Sequence, residues 1–131
     1  MNYLIDTHCW LWLQTTPERI PAKLLRKLEL PENKLFLSAA SSWEIAIKVA
    51  LGKLTLPDRP ANYVPSRMQA SGCQGLAISH RHALAVAELP AHHGDPFDRL
   101  LIAQANLEKM TLITADAALA AYDVRMQFVE R

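Results

Sequence analysis

The sequence predicts an α/β fold with α/β/α layering around a central parallel sheet of about four to five strands. Two observations carry this. Short apolar runs alternate with helical segments along the chain, so successive strands are joined by right-handed crossovers and the sheet is covered on both faces. Four acidic residues, Asp6, Glu44, Asp98 and Asp116, also stand where an apolar run hands over to a predicted helix. In an open α/β sheet, the carboxyl ends of the strands and the N-termini of the following helices share one edge, where ligands bind. The four carboxylates are therefore predicted to converge. Two like charges about 4 Å apart repel by roughly 4 kcal/mol at an effective dielectric constant of about 20, so a hard divalent cation is their natural partner.

The elements follow in order. Residues 3–5 form a buried strand and a helical turn runs through 10–13, broken at Thr15-Thr16-Pro17. Pro21 suits the first turn of a helix through Leu30, with Leu24, Leu25 and Leu28 on one face and Lys23, Arg26 and Lys27 on another. Residues 35–37 make the second strand, and the serines in 38–42 cap a helix that carries Ile45, Ala46, Val49 and Ala50 to Gly52. Residues 53–65 contain three prolines and are expected to be irregular, with a helix following to about Gly72. A third strand is expected at 76–78, a helix at 80–89 and a turn at 90–94. Asp95-Pro96 opens a long helix to about Lys109; a strand at 111–113, a helix at 115–121 and a fifth strand within 124–129 complete the chain.

The bulk numbers bound the function. A single domain over residues 1–131 is expected, and at this length a chain buries roughly two-thirds of the surface its unfolded form exposes. With 50% hydrophobic and 21% charged residues the composition is globular, neither disordered nor membrane-spanning. A net charge of +1 argues against a strongly basic nucleic-acid coat but leaves room for a local patch. Cys9 and Cys73 are too far apart for a metal knuckle or a redox pair and read as buried thiols. Asp6 interrupts the N-terminal hydrophobicity at once, so no secretion signal is expected and the reducing cytoplasm is the expected location.

Each acid taken singly has a structural explanation. Ser41-Ser42-Trp43-Glu44 fits a capping box, and Glu44 with Lys48 makes a favourable i,i+4 pair. Asp95-Pro96-Phe97-Asp98 combines an N-cap, a proline at the first helical position and an acid in the first turn. Asp116 can cap in the same way. Asp6 differs, because it ends a central strand without an obvious capping box, and a buried carboxylate without a partner is costly. A common position at one sheet edge turns the balance toward a shared site.

The surrounding words strengthen this. Tyr3-Leu4-Ile5-Asp6-Thr7-His8, Ser38-Ala39-Ala40-Ser41-Ser42-Trp43-Glu44-Ile45-Ala46-Ile47-Lys48, His93-Gly94-Asp95-Pro96-Phe97-Asp98-Arg99-Leu100-Leu101-Ile102-Ala103-Gln104-Ala105 and Leu112-Ile113-Thr114-Ala115-Asp116 occur in this order over most of the chain. The set resembles the PIN-domain proteins of the VapC-type toxin group. The resemblance implies a compact PIN-like α/β/α fold and a Mg2+ or Mn2+ dependent ribonuclease site. It matches the family's acids, in order, to Asp6, Glu44, Asp98 and Asp116. Asp95 stays open as a cap, a water-mediated ligand or a site member. An antitoxin protein, encoded nearby, is the implied partner.

Phosphodiester hydrolysis needs an activated water, neutralised phosphoryl oxygens and help for the leaving oxygen, all of which carboxylate-held metal ions supply. Asp6, Asp98 and Asp116 are the expected ligands, directly or through water, while Glu44 coordinates a second ion or orients the attacking water. Mg2+ keeps several waters, so the acids need not all touch one ion.

Other residues are weighed and set aside. His8 follows Asp6 as in the Asp-x-His-x-His entry of amidohydrolase and TatD-type barrels, but position 10 is Trp and those barrels run to about 250 residues. His80-x-His82 and His92-His93 lack cysteine partners at finger spacing and read as solvated or capping. Arg99 is a phosphate candidate, with an ion pair to Asp95 the stronger alternative. The basic Lys23, Arg26 and Lys27 face and the tryptophans Trp10, Trp12 and Trp43 are not assigned to the site. The rival function is a non-catalytic PIN-like module that binds a basic partner through its acidic cleft. A partner helix or strand is expected to use exposed apolar side chains around Trp10, Trp12 and residues 53–65. The other expectations are an RNA substrate, an isologous homodimer and no membrane association.

Overall fold

The computed structural model describes residues 1–130. Its sheet contains β1 (Asn2–Ile5), β2 (Lys34–Ser38), β3 (Gln74–Leu76), β4 (Thr111–Thr114) and β5 (Met126–Phe128), all parallel, in the order β3-β2-β1-β4-β5. β1 lies at the centre, with Leu4 opposite Phe36 of β2 and Leu112 of β4. Alternate side chains enter opposite layers, as strand pleating requires. Tyr3 and Ile5 join Leu35, Leu37 and Ile113 in one core, whereas Leu4 and Leu112 join Leu101, Ile102 and Leu119 in the other. Burial on both faces is why these strands read as continuous apolar runs.

The helices are α1 (Thr7–Thr15), α2 (Ala22–Glu29), α3 (Ala39–Ala50), α4 (Pro60–Ser71), α5 (His80–Ala85) and α6 (Pro96–Glu108). Trp10 of α1, Leu24 of α2, Ile45 of α3 and Tyr63 and Val64 of α4 cover the first core; α6 covers the second with Leu101, Ile102 and Ala105. A buried polar link ties the two sides of the β2 end together. The Ser38 hydroxyl donates to Gln104 Oε1 at 2.6 Å, and Gln104 Nε2 donates to the Ala77 carbonyl at 3.3 Å. The chain winds outward from β1 to β2 to β3 and then crosses to β4 on the other side. The carboxyl ends of β1 and β4 therefore flank the topological switch point, where α/β sheets open a crevice.

Several local expectations shift. Residues 60–65, expected to be irregular, belong to α4, which has Pro60 in its first turn and Pro65 inside it. Burial of Tyr63 and Val64, with Tyr63 edge-on to Trp10 at 6.5 Å between ring centres, offsets the missing amide. Gly72 ends α4 in the left-handed conformation at φ 68°. The chain then enters β3 two residues earlier than expected, and Ile78 is left exposed. α5 stops at Ala85 and gives way to a 3-10 turn over Val86–Glu88; Ala117–Ala121 is also 3-10. Trp10 is wholly buried and Trp12 lies under the Arg19 guanidinium at 3.8 Å, so Trp10 cannot serve the exposed partner surface assigned to it. Among the described residues, no helix is long and apolar enough to cross a membrane.

Pro65 gives a direct check on α4. Its ring is exposed, and alanine restores the missing donor, so Pro65→Ala is expected to stabilise the protein by roughly 1–3 kcal/mol in urea unfolding. Unchanged or reduced stability would show that the helix has adapted fully to the proline.

Candidate active site

Three acids cap helical segments, Asp6 and Asp116 just after strands β1 and β4 and Asp95 after a loop. The Asp6 amide extends the sheet ladder to the Ile113 carbonyl at 2.9 Å, and its Oδ1 accepts from the Cys9 amide at 2.8 Å as the N-cap of α1. Asp6 thus has the capping role that its sequence context did not suggest. Asp116 caps the 3-10 turn, with Oδ1 accepting from the Ala118 amide at 3.0 Å, while its own amide donates to the Thr114 hydroxyl. Asp95 caps α6, its Oδ1 accepting from the Phe97 amide at 2.8 Å and the Asp98 amide at 3.3 Å. Asp98 follows in the first turn. Capping and convergence are not alternatives here, because the caps put the carboxylates at one edge.

Glu44 is held differently. Ser38, not Ser41, caps α3 by accepting from the Ala40 amide at 3.0 Å, so the capping box does not form and Glu44 lies in the second turn. Its buried carboxylate accepts from the Thr7 hydroxyl at 2.6 Å and pairs with Lys48 Nζ at 3.0 Å. The expected i,i+4 pair is present, and Thr7 ties Glu44 to the turn that holds Asp6. Glu44 lines a cleft of about 340 Å³ together with His8, Lys48, Lys53, Asp95 and Phe97. The exposed Trp43 ring stands edge-on to Phe97, 5.3 Å between centres.

The tightest cluster contains a residue set aside at the sequence level. His93 Nε2 lies 3.0 Å from Asp98 Oδ2 and 3.5 Å from Asp116 Oδ2. One ligand atom from each of His93, Asp98 and Asp116 falls within 4.8 Å of the others. Burial first, then the neighbouring Asp95 charge, pushes the Asp98 carboxyl up to about 6, with a further upward push from Asp6; the His93 hydrogen bond and charge oppose these. Asp6, Asp95 and Asp98 therefore share one electrostatic neighbourhood. A crowded set of carboxylate oxygens is the donor chemistry that a hard divalent cation takes, so the residues fit one.

Arg99 fills neither role proposed for it. Its guanidinium donates to the carbonyls of Pro90 at 2.9 Å, Val86 at 3.1 Å and Leu89 at 3.4 Å, and to the Tyr122 hydroxyl at 3.0 Å. It clamps the loop that leads into His92 and His93, and His92 packs edge-on to Tyr122 at 5.1 Å. The only sequence signal for His93 was its place two residues before the α6 cap; the loop path that folds it back over Asp98 has no periodicity to reveal it. His82 takes the capping role read for its pair, within a Ser79 box, and lies 2.8 Å from Glu108.

A PIN domain family model matches residues 3–125 of this chain. The chain belongs to the PIN domain family. It is similar to Ribonuclease VapC16 of Mycobacterium tuberculosis (strain ATCC 25618 / H37Rv), 52% identical over 50 residues, which span 38% of this chain and 36% of that protein. The PIN domain also superposes on a chain of VapBC2 from Rickettsia felis, solved bound to a DNA fragment from the promoter, with a TM-score of 0.74 and 17% identity over 98% of both chains. A toxin-antitoxin complex from Klebsiella pneumoniae contains a chain matching at TM-score 0.64 and 18% identity, again over 98% of both. At these identities the two solved structures share the fold.

The raised Asp98 carboxyl fixes the sign of a pH effect in metal-free protein. Folding favours its protonated form, so its stabilising contribution is complete below its ordinary value of 3.8 and is lost as pH rises through about 6. In EDTA, the melting temperature of wild type relative to Asp98→Asn is expected to fall across that window. A constant difference between the two proteins from acid to neutral pH would contradict the crowding.

Proposed function

We propose that this PIN domain is a divalent-metal-dependent endoribonuclease and the toxin of a toxin–antitoxin pair, working in the cytoplasm as a single domain over residues 1–131. The observation that carries the reading is the meeting of Asp98 and Asp116 beside Asp6 at the sheet's switch point. The segment shared with Ribonuclease VapC16 supports the ribonuclease assignment, and the toxin-antitoxin complex among the structural relatives supports the pairing.

Mg2+ or Mn2+, when bound, supplies charge neutralisation at the phosphoryl group and an acidified water. Asp6, Asp98 and Asp116 hold the ion, directly or through water. Asp6 and Asp116 each spend one carboxylate oxygen on a backbone amide, which fixes their orientation. Glu44, braced by Thr7 and Lys48, orients the attacking water or holds a second ion. Lys48 and Lys53 line the same cleft and offer positive charge to the RNA backbone. Asp95 acts mainly as the cap that sets the pitch of α6 beneath Asp98. The antitoxin fills the acidic cleft with a basic side chain, and the toxin self-associates as an isologous dimer.

Single-stranded RNA should be cleaved with Mg2+ or Mn2+ and left intact in EDTA. Asp6→Asn and Asp98→Asn are each expected to lower the rate by about a hundredfold or more, the scale for removing a charge-stabilising group. Asp95→Asn should be milder. Activity in EDTA, or in both severe variants, would overturn the assignment, and stable folding with no cleavage under any metal would favour the non-catalytic binding module. In cells, unopposed expression of wild type should arrest growth. The Asp6→Asn form should be harmless yet still capture the antitoxin; failure of both expectations with an active enzyme would mark a stand-alone nuclease.

A further inference from the structure

We propose that His93 is a nitrogen ligand to the ion held by Asp98 and Asp116, and that it tilts the ion preference of this site from Mg2+ toward Mn2+ and the later first-row divalent metals. The inference rests on the metal-dependent reading above.

The geometry is that of adjacent ligands on one ion. Bonds of about 2.1 Å at right angles put neighbouring donor atoms about 3 Å apart. His93 Nε2 stands 3.0 Å from Asp98 Oδ2 and 3.5 Å from Asp116 Oδ2, and the three ligand atoms lie within 4.8 Å of one another, a spread that ligands on one ion can span. The ring has a fixed base. Arg99, rooted in α6 one residue after Asp98, binds the carbonyls of Val86, Leu89 and Pro90 and thereby holds the loop that delivers His93. His92 points elsewhere, with its ring against Tyr122. His8 lines the neighbouring cleft with Glu44 and serves as an internal control.

The chemistry follows from the donor change. Mg2+ favours oxygen ligands and dehydrates reluctantly, whereas imidazole suits transition metals, whose affinities for mixed nitrogen and oxygen sites rise from Mn2+ toward Cu2+. As a ligand through Nε2 the ring is neutral and carries its proton on Nδ1. An all-carboxylate site has a weaker bias of this kind.

The test is titration calorimetry of EDTA-stripped protein with Mg2+ and with Mn2+, for wild type, His93→Gln, His8→Gln and Asp98→Asn, each checked for folding by thermal melt. His93→Gln is expected to weaken Mn2+ binding about tenfold or more while changing Mg2+ binding less than about threefold. Pulsed electron paramagnetic resonance of the Mn2+-loaded protein should show a directly coordinated 14N in wild type and His8→Gln and none in His93→Gln. An unchanged Mn2+ to Mg2+ ratio with the nitrogen signal retained in His93→Gln would overturn the proposal and leave His93 as a hydrogen-bond partner of Asp98. Failure of both ions to bind wild type, or undiminished binding by Asp98→Asn, would overturn the metal-dependent reading beneath it.

Discussion

The junction at Asp6 is the constraint from which the rest follows. There the central strand ends, its ladder to β4 makes one last bond, and a carboxylate starts α1 by accepting a backbone amide. An N-cap of this kind contributes about 1 kcal/mol, and a carboxylate at a helix N-terminus gains further from the helix dipole. The same solution recurs at Asp95 and Asp116. Because all five strands are parallel, caps that directly follow a strand, as at Asp6 and Asp116, sit at the same edge, and Asp95 reaches that edge from a loop. Local helix chemistry therefore collects negative charge at one place without any interaction designed for that purpose.

That collection has a cost. Asp98, close to Asp95 and Asp6 and largely out of water, resists ionisation, and His93 stands against the accumulated charge at its carboxylate. Glu44 has its own compensation in Lys48 and Thr7. The protein has thus divided its acids into a group that is locally neutralised and a group that is not. An uncompensated group is expensive unless a cation or a cationic partner arrives, so the same electrostatic imbalance would favour either one.

Much of this was legible in the chain. The parallel sheet, the central place of β1, the strand-to-helix positions of Asp6 and Asp116 and the place of Asp98 in the first turn of α6 follow from apolar periodicity and turn chemistry, which are local. The misses have one common source. Pro65 inside α4 is rescued by Tyr63 and Val64 packing, Glu44 is braced by a threonine 37 positions away, and Arg99 spends its donors on loop carbonyls. His93 was passed over because its value lies in a loop path. Each depends on tertiary contacts between segments that carry no mutual signal in a single sequence.

The Arg99 clamp has a consequence for how this loop can vary. A guanidinium has a rigid fork of donors, and here the fork spans carbonyls from Val86 to Pro90 while its stem is anchored on α6. The segment between Pro90 and the Asp95 cap is therefore a spacer of set length, pinned at both ends. Its residues can be exchanged for others, but an added or deleted residue would swing His93 away from the acids while leaving every helix and strand intact. The loop behaves as a gauge, and the arginine is its stop.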